Sequence, residues 1–342
     1  MNMRITTEDE LEELLSRPTE ADVECMASMD GDIVILGVGG KMGPSLARLV
    51  RRAVDEAGSS KRVIGVSRFS EPGLAAELQS AGISTISCDL LERSELEKLP
   101  NVPNVIYMAA RKFGTTGSEH LTWAMNTLLP AFVAERFKES RIVAFSTGNV
   151  YPLVPVSSGG ATESTRVEPV GEYAQSALGR ERMFEYASAR WKSPVTLLRL
   201  NYAVELRYGV LVDIGRAVFE RCPVDLHMGF VNVIWQRDAN SVCLRALGHC
   251  QSPPRILNVT GPAILSVRSI AEEFGKRFGI PVAFTGEEAP TALLSNAAEC
   301  HRLFGLPTVT PTEMIELIAD WVSAGAASLG KPTHYQTRNG RF

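Results

Sequence analysis

The sequence predicts an α/β fold: a doubly wound parallel sheet with a smaller, mostly helical lobe toward the C-terminus. Three observations predict it. Strand-length runs such as "DIVILGV" (32–38) are apolar throughout, as strands covered on both faces must be. Segments with the helical apolar period separate them. The two alternate from about residue 31 to about residue 202, the spacing a parallel sheet needs for its crossover helices.

The elements follow in order. Residues 1–30 read as a helical arm: Thr7 with Glu10 predicts a capping box before "LEELL", and Pro18 with Thr19 opens a second short helix. After strand 32–38, "SLARLVRRAVDEAG" is a helix closed at Gly58. Then come "RVIGVSR" (strand), "GLAAELQSAG" (helix), "ISTISCDL" (strand), "SELEKLP" (short helix), "NVIYMAA" (strand), "LTWAMNTLLPAFVAERF" (helix) and "RIVAFSTG" (strand). A helix from Gly171 and the strand "PVTLLRLNY" complete the alternation. Beyond Tyr202, "VLVDIGRAVFERC", "SVRSIAEEFGKRFG" and "TPTEMIELIADWV" read as helices, and "FVNVIW" and "ILNVTG" as short strands. The division expected is an arm over 1–30, a sheet domain over 31–203 and 230–262, and a substrate lobe over 204–229 and 263–342. The polar tail from Gly330 has no periodicity.

Composition narrows the function classes. The 342 residues carry a net charge of −4 with mixed signs, which gives no electrostatic case for nucleic acid or an anionic membrane. No apolar run reaches membrane-spanning length. The N-terminal segment is too acidic and too periodic for a secretion signal, so a cytoplasmic location is expected. Six scattered cysteines form no CxxC pair and five histidines are dispersed, so no metal site is expected and the cysteines read as buried free thiols.

Between the first strand and the first helix lies Gly37-Val38-Gly39-Gly40-Lys41-Met42-Gly43. Glycine removes Cβ where a turn is tight and where backbone N–H groups approach a pyrophosphate, which the helix N-terminus then faces. The placement points to a dinucleotide. A carboxylate ending the second strand would accept from a ribose 2′-OH; here Ser67 and Arg68 stand there instead. Arg68 can grip a 2′-phosphate, and Lys41 could reach it too, so NADP is expected over NAD.

From residue 32 to 321 the chain resembles the extended short-chain dehydrogenase/reductase family, the group holding sugar-nucleotide epimerases and dehydratases, with a Rossmann-like sheet. The glycine turn carries the resemblance, with Asp89-Leu90, "YMAA" (Tyr107 to Ala110, Ala109 included), Asn126 in the next helix, "FSTGNVY" (145–151), "YAQSA" (173–177) and "NVTGPAILSVRSIAEEFG". It implies cofactor contacts at these positions. It also implies that Thr147, with Ser146 beside it, holds a substrate oxygen while Tyr173 moves its proton, as hydride passes to or from a nicotinamide.

The family's lysine four residues after the tyrosine is replaced by Ala177. A phenol titrates near 10 and needs a nearby cation to act as a base. Arg180, two helical turns on, and Lys112, at the end of the fourth strand, can supply one, with Lys112 the better placed. Otherwise Tyr173 serves as a proton donor only, or the protein is a non-catalytic NAD(P)-binding sensor.

Met228-Gly229 stand where the resemblance leads one to expect the Arg-Asp that meets a nucleotide's phosphates, and the insert from 201 to 230 is short. Both disfavour a nucleotide-sugar epimerase or dehydratase and favour an oxidoreductase or epimerase of a small polyhydroxylated carbohydrate or sugar acid. Arg207 or Arg237 is the candidate anchor for a carboxylate. Asn149, Asn201, Trp235 and Thr291, with Thr285 and Glu287, are the candidate substrate contacts. The resemblance also implies a homodimer through helices 121–137 and 171–186.

Overall fold

The computed structural model describes residues 5–112, 114 and 117–341. Seven strands make one parallel sheet: β1 (Ile33–Leu36), β2 (Val63–Ser67), β3 (Ser84–Ser87), β4 (Asn104–Tyr107), β5 (Arg141–Thr147), β6 (Val195–Leu200) and β7 (Arg255–Val259). Their order is 3-2-1-4-5-6-7. The chain leaves β1 toward one side and returns on the other at β4, so Ile33 pairs with both Val63 and Asn104. Ligands bind at the C-terminal strand ends beside such a reversal, because the crossover connections diverge there and leave a crevice.

Alternation along β1 builds both layers. Ile33 and Ile35 face Leu46, Leu49 and Val50 of helix α1 (Gly43–Glu56). Val34 and Leu36 face Leu129 and Val133 of helix α2 (Leu129–Arg136) and Phe184 of helix α3 (Gly171–Trp191). The edge strand β3 is the polar one: Ser84 and Ser87 are exposed. A third core lies in the lobe. There helices α4 (Val210–Phe219), α5 (Val267–Phe278) and α6 (Pro311–Ser323) pack Leu211, Ile214, Phe274, Ile318 and Trp321 together.

The N-terminal arm forms the two expected helices, Glu8–Ser16 and Glu20–Ser28. Thr7/Glu10 and Thr19/Asp22 are reciprocal capping boxes. Leu11 and Leu15 are fully buried, and Arg52 holds Glu13 at 2.6 Å.

Four details differ from expectation. "FVNVIW" is two separate bridges rather than one strand: Phe230–Val231 pairs antiparallel with Leu265–Ser266, and Ile234–Trp235 pairs parallel with Ala203–Val204. The long helix before α2 is interrupted by a π turn over Ala124–Leu128, where Leu129 N donates to Ala124 O. Pro130 sits next in the chain; it has no N–H to return to residue 126, and its ring pushes that carbonyl aside. Cys222 is exposed, because it follows the helix end at Phe219 rather than a strand. The tail is ordered against the lobe, with Thr333 and Tyr335 buried. No described helix is long and apolar enough to cross a membrane.

Candidate functional site

A cleft runs along the C-terminal ends of the strands in two connected halves, which share Gly39, Gly40, Met108 and Ala110. The half over β2 and β3 has a volume of about 390 Å³. Gly37, Ser67, Arg68, Cys88, Asp89, Leu90 and Ala109 line it. The half over β5 has a volume of about 410 Å³. Lys41, Met42, Lys112, Ser146, Thr147, Asn149, Tyr173 and Arg180 line it, with Asn201 and Tyr208 opposite.

The glycine turn owes its shape to close backbone approach. Gly37 has φ +91°, and a Cβ there would lie 2.7 Å from Ala109 N. A Cβ on Gly39 would lie 2.9 Å from Ser67 Oγ, and one on Gly43 would strike the Val38 carbonyl. Helix α1 then begins without a side-chain cap; Gly43 N donates to Gly40 O and Pro44 has no N–H, so what the crevice meets is the bare glycine backbone and the positive end of the helix. Both the bare backbone and the helix dipole fit a dinucleotide's pyrophosphate.

At the far wall, Arg68 is exposed, and its guanidinium lies 4.0 Å from Asp89 Oδ2. Asp89 Oδ1 accepts from Leu91 N at 3.1 Å. Lys41 points the other way, with Nζ 3.3 Å above the Tyr208 ring in the β5 half. It therefore does not share a 2′-phosphate with Arg68. Burial, with the positive Lys112 and Lys331 nearby, brings its ammonium down to about 7.

Thr147 ends β5 and Tyr173 lies in the first turn of α3, with the Thr147 hydroxyl near enough to the phenol to draw its pKa down. Gly171 (φ +82°) lets the chain enter the helix there. Ser146 lines the same half, and its hydroxyl donates to Glu181 at 2.5 Å. Glu181 is clamped in turn by Arg199 through Nε at 3.0 Å and Nη2 at 2.7 Å, and both partners are buried. Sequence reasoning missed this pair. The signal was a charge at the centre of the apolar run "LLRL", which must find a buried partner.

Ala177 is fully buried among Val204, Leu206 and Val210. The cation beside Tyr173 comes from the next turns. Arg180, 2% exposed, donates to Phe145 O at 2.8 Å and to Asn126 Oδ1 at 3.0 Å. Its Nε has no acceptor among the described residues. Burial pushes the Tyr173 phenol up from its ordinary value, and the Arg180 charge and the Thr147 hydrogen bond pull it partly back. Lys112, ranked ahead of Arg180 on sequence, lies 5.9 Å from the Tyr173 ring centroid, and its Nζ donates to Thr333 O at 3.4 Å. Burial brings that ammonium down to about 8.

Several sequence candidates stand outside the cleft. Asn126 is fully buried behind its wall, where Oδ1 accepts from Arg111 N and Nδ2 donates to Ser176 Oγ; it braces Arg180 and the loop after β4. Arg207 is spent on Glu8, Glu12 and Glu205, which ties the arm to the lobe. Arg237 donates to Arg17 O and lines a separate cavity of about 200 Å³. Trp235 is fully buried in the core. Thr291 accepts from Arg338 of the tail at 2.7 Å, and Thr285 pairs with Asp225. In every case but the exposed Thr285, a neighbour distant in sequence has taken up the side chain's polar groups or its surface.

The tail supplies the side of the cleft that sequence reasoning left blank. Lys331 and Thr333 line the β5 half. Thr333 N and Oγ donate to Asp213 Oδ2 at 2.8 and 2.6 Å, and Arg338 donates to Thr291 O and to the His227 carbonyl. Beyond Asn149, between Tyr151 and Thr337, Arg338 and Gly340, only about 40 Å³ is left open.

The sequence profile of the NAD dependent epimerase/dehydratase family matches residues 33–204. No curated protein matches the sequence. Solved structures with the same fold include Pal from Bacillus thuringiensis (16% identity, TM-score 0.70, covering 86% of this chain and 99% of that one). A second is the UDP-glucuronic acid 4-epimerase of Bacillus cereus with UDP-glucuronic acid and NAD (18%, 0.70, 85% and 99%). A third is the UDP-glucose 4-epimerase of Thermotoga maritima with UDP-glucose (14%, 0.71, 86% and 99%).

Proposed function

Because the chain belongs to the NAD dependent epimerase/dehydratase family, we propose that it is an NAD(P)-dependent oxidoreductase or epimerase of a small polyhydroxylated carbohydrate or sugar acid. The observation that carries this reading is the meeting of Thr147, Tyr173 and Arg180 in one cleft with the glycine turn. Gly37, Gly39, Gly40 and the N-terminus of α1 hold the dinucleotide's phosphates, and Arg68 reads its adenosine end. The nicotinamide, when bound, supplies the hydride acceptor or donor. Thr147 orients the substrate oxygen, and Tyr173 gives it a proton or takes one from it.

The raised phenol sets the pH dependence. Tyr173 stays protonated through neutral pH, so carbonyl reduction is expected to lose nothing to ionisation of this phenol from pH 6 to 9. Alcohol oxidation, which needs the phenolate, is expected to climb throughout that range. Arg180→Met removes the cation. The rising limb of oxidation should then move to higher pH and its kcat/KM at pH 8 should fall by about 10- to 1000-fold, with Arg180→Lys recovering part of the loss. An unmoved pH profile would make Arg180 only a strut between Phe145 and Asn126.

Arg68→Ala is expected to weaken NADPH about tenfold or more and NADH less than twofold, read by nicotinamide fluorescence. Equal losses would sink the NADP preference. A screen of sugars, aldonates and uronates for a change in nicotinamide absorbance, with product analysis for epimers, tests the reaction class. Absence of dinucleotide binding would overturn the whole reading.

The solved structures of similar fold that carry UDP-sugars raise the alternative of a nucleotide-linked substrate. The 40 Å³ between Asn149 and the tail speaks against it, since that space is too small for a uridine diphosphate. The exposed Leu121, Trp123, Leu128 and Tyr186, on two adjacent helices, support a homodimer through that face.

A further inference from the structure

The tail crosses the far end of the cleft, from the lobe to the entrance of α3, and its anchors fall into two groups. Thr333 and Tyr335 are buried; Thr333 Oγ donates to Asp213 and the Tyr335 hydroxyl to the Asp225 carbonyl. Residues 333–335 are therefore seated in the lobe. Beyond them the side chain that holds the tail is Arg338, which is half-buried. Its Nη1 donates to Thr291 O at 2.8 Å and to His227 O at 3.1 Å, and its Nη2 donates to Thr291 Oγ1 at 2.7 Å. Thr291 belongs to the short bridge of Thr291–Ala292 with Val154–Pro155, and the neighbouring Leu153 and Leu293 line the small space beyond Asn149. Gly340 then rests on the entrance to α3. It has φ +70°, and a Cβ there would strike the Val170 carbonyl, while one on Gly171 would strike the Gly340 carbonyl. Two backbones in such contact leave no room for a ligand between them. Asn149 lines both this closed end and the β5 half, so the closure bears directly on the site.

We propose that Arg338 is a specificity-determining residue of this site: by latching residues 336–341 across the end of the cleft, it admits short carbohydrates and bars substrates that carry a bulky group beyond Asn149. The inference rests on the proposed dinucleotide-dependent carbohydrate site and adds which side chain sets the length limit there. The latch depends on shape. A planar guanidinium meets two carbonyls and a hydroxyl at once, which the compact ammonium of a lysine cannot do from one point. Loss of Arg338 frees only the far part of the tail. Lys331 and Thr333, which line the β5 half, stay in place because Asp213 and the Asp225 carbonyl still hold Thr333 and Tyr335.

The test uses the full chain and begins with nicotinamide fluorescence. Failure to bind either NADPH or NADH overturns the functional reading and this inference with it; every later outcome bears on the latch alone. With the dinucleotide saturating, so that its own site is filled, UDP-glucose is titrated by calorimetry as the long probe. The wild type should bind it more weakly than about 1 mM. Arg338→Ala should bind it about tenfold tighter or more, with dinucleotide affinity within twofold. Amide exchange over residues 336–341, where Thr337 N donates to His334 O, should quicken in that variant, while the Thr333 amide, held by Asp213, keeps its protection. Arg338→Lys, which keeps the charge and loses the fork, should fall between the two. The proposal is overturned if the wild type binds UDP-glucose as tightly as Arg338→Ala does, if exchange over 336–341 does not change in Arg338→Ala, or if exchange quickens and UDP-glucose still fails to bind.

Discussion

Tyr173→Phe is expected to lower turnover by about 10²- to 10⁴-fold, the usual worth of one positioned proton-transfer group, while NADPH affinity stays within twofold. The phenyl ring keeps the packing at the start of α3, where Tyr173 is 8% exposed, and loses only the hydroxyl that Thr147 shares. Single-turnover kinetics with bound NADPH isolates the chemical step from cofactor release. A Phe variant with wild-type turnover would remove Tyr173 from the reaction and direct attention to the other tyrosines of the cleft wall, Tyr202 and Tyr208. Tyr202 is the more unusual of the two, since it holds φ +49° at the end of β6.

The second large effect is on stability. Glu181→Ala is expected to cost about 3–5 kcal/mol, because it leaves the Arg199 guanidinium buried with no opposite charge. Arg199 would keep one neutral partner, the Tyr151 hydroxyl at 2.7 Å, which itself donates to Asn258 Oδ1. A urea titration of each variant checks the loss. The double replacement Glu181→Leu with Arg199→Leu should recover most of it, since two apolar side chains of similar volume remove both desolvated charges together. A loss below about 1 kcal/mol in the single variant would mean that the pair contributes little where it sits. The bridge also lies directly behind Ser146, so the single variant should lose activity at temperatures where it is still folded.

The central fold was legible because a parallel sheet buries its strands on both faces. That demand writes continuous apolar runs such as Ile33–Leu36, with helices of period 3.6 between them. Capping at Thr7 and Thr19 was equally local, a matter of three residues' spacing. The glycine turn could be read because Cβ is forbidden where β1 passes within contact of Ala109. Thr147 and Tyr173 were found through the motifs "FSTGNVY" and "YAQSA", and they meet in the fold.

Other features depended on which distant segments come together. Position 177 told only that a cation was missing. That Arg180 stands beside the phenol, and that Lys112 over the Tyr173 ring also reaches Thr333 O, follows from the packing of α3 and from a tail more than two hundred residues after Lys112. Arg207 and Arg237 had the right chemistry for a carboxylate, yet the N-terminal arm engaged both. The tail had no periodicity to betray it, because it is held by single hydrogen bonds to Asp213, Thr291 and His227 rather than by a repeating apolar face. Sequence alone thus determined the sheet, the turn and the positions of Thr147 and Tyr173, each encoded by near neighbours or by periodic burial. The tertiary structure decided the charge and the closure of the cleft, because side chains remote in the chain set electrostatics and volume, and their meeting leaves no local pattern to read.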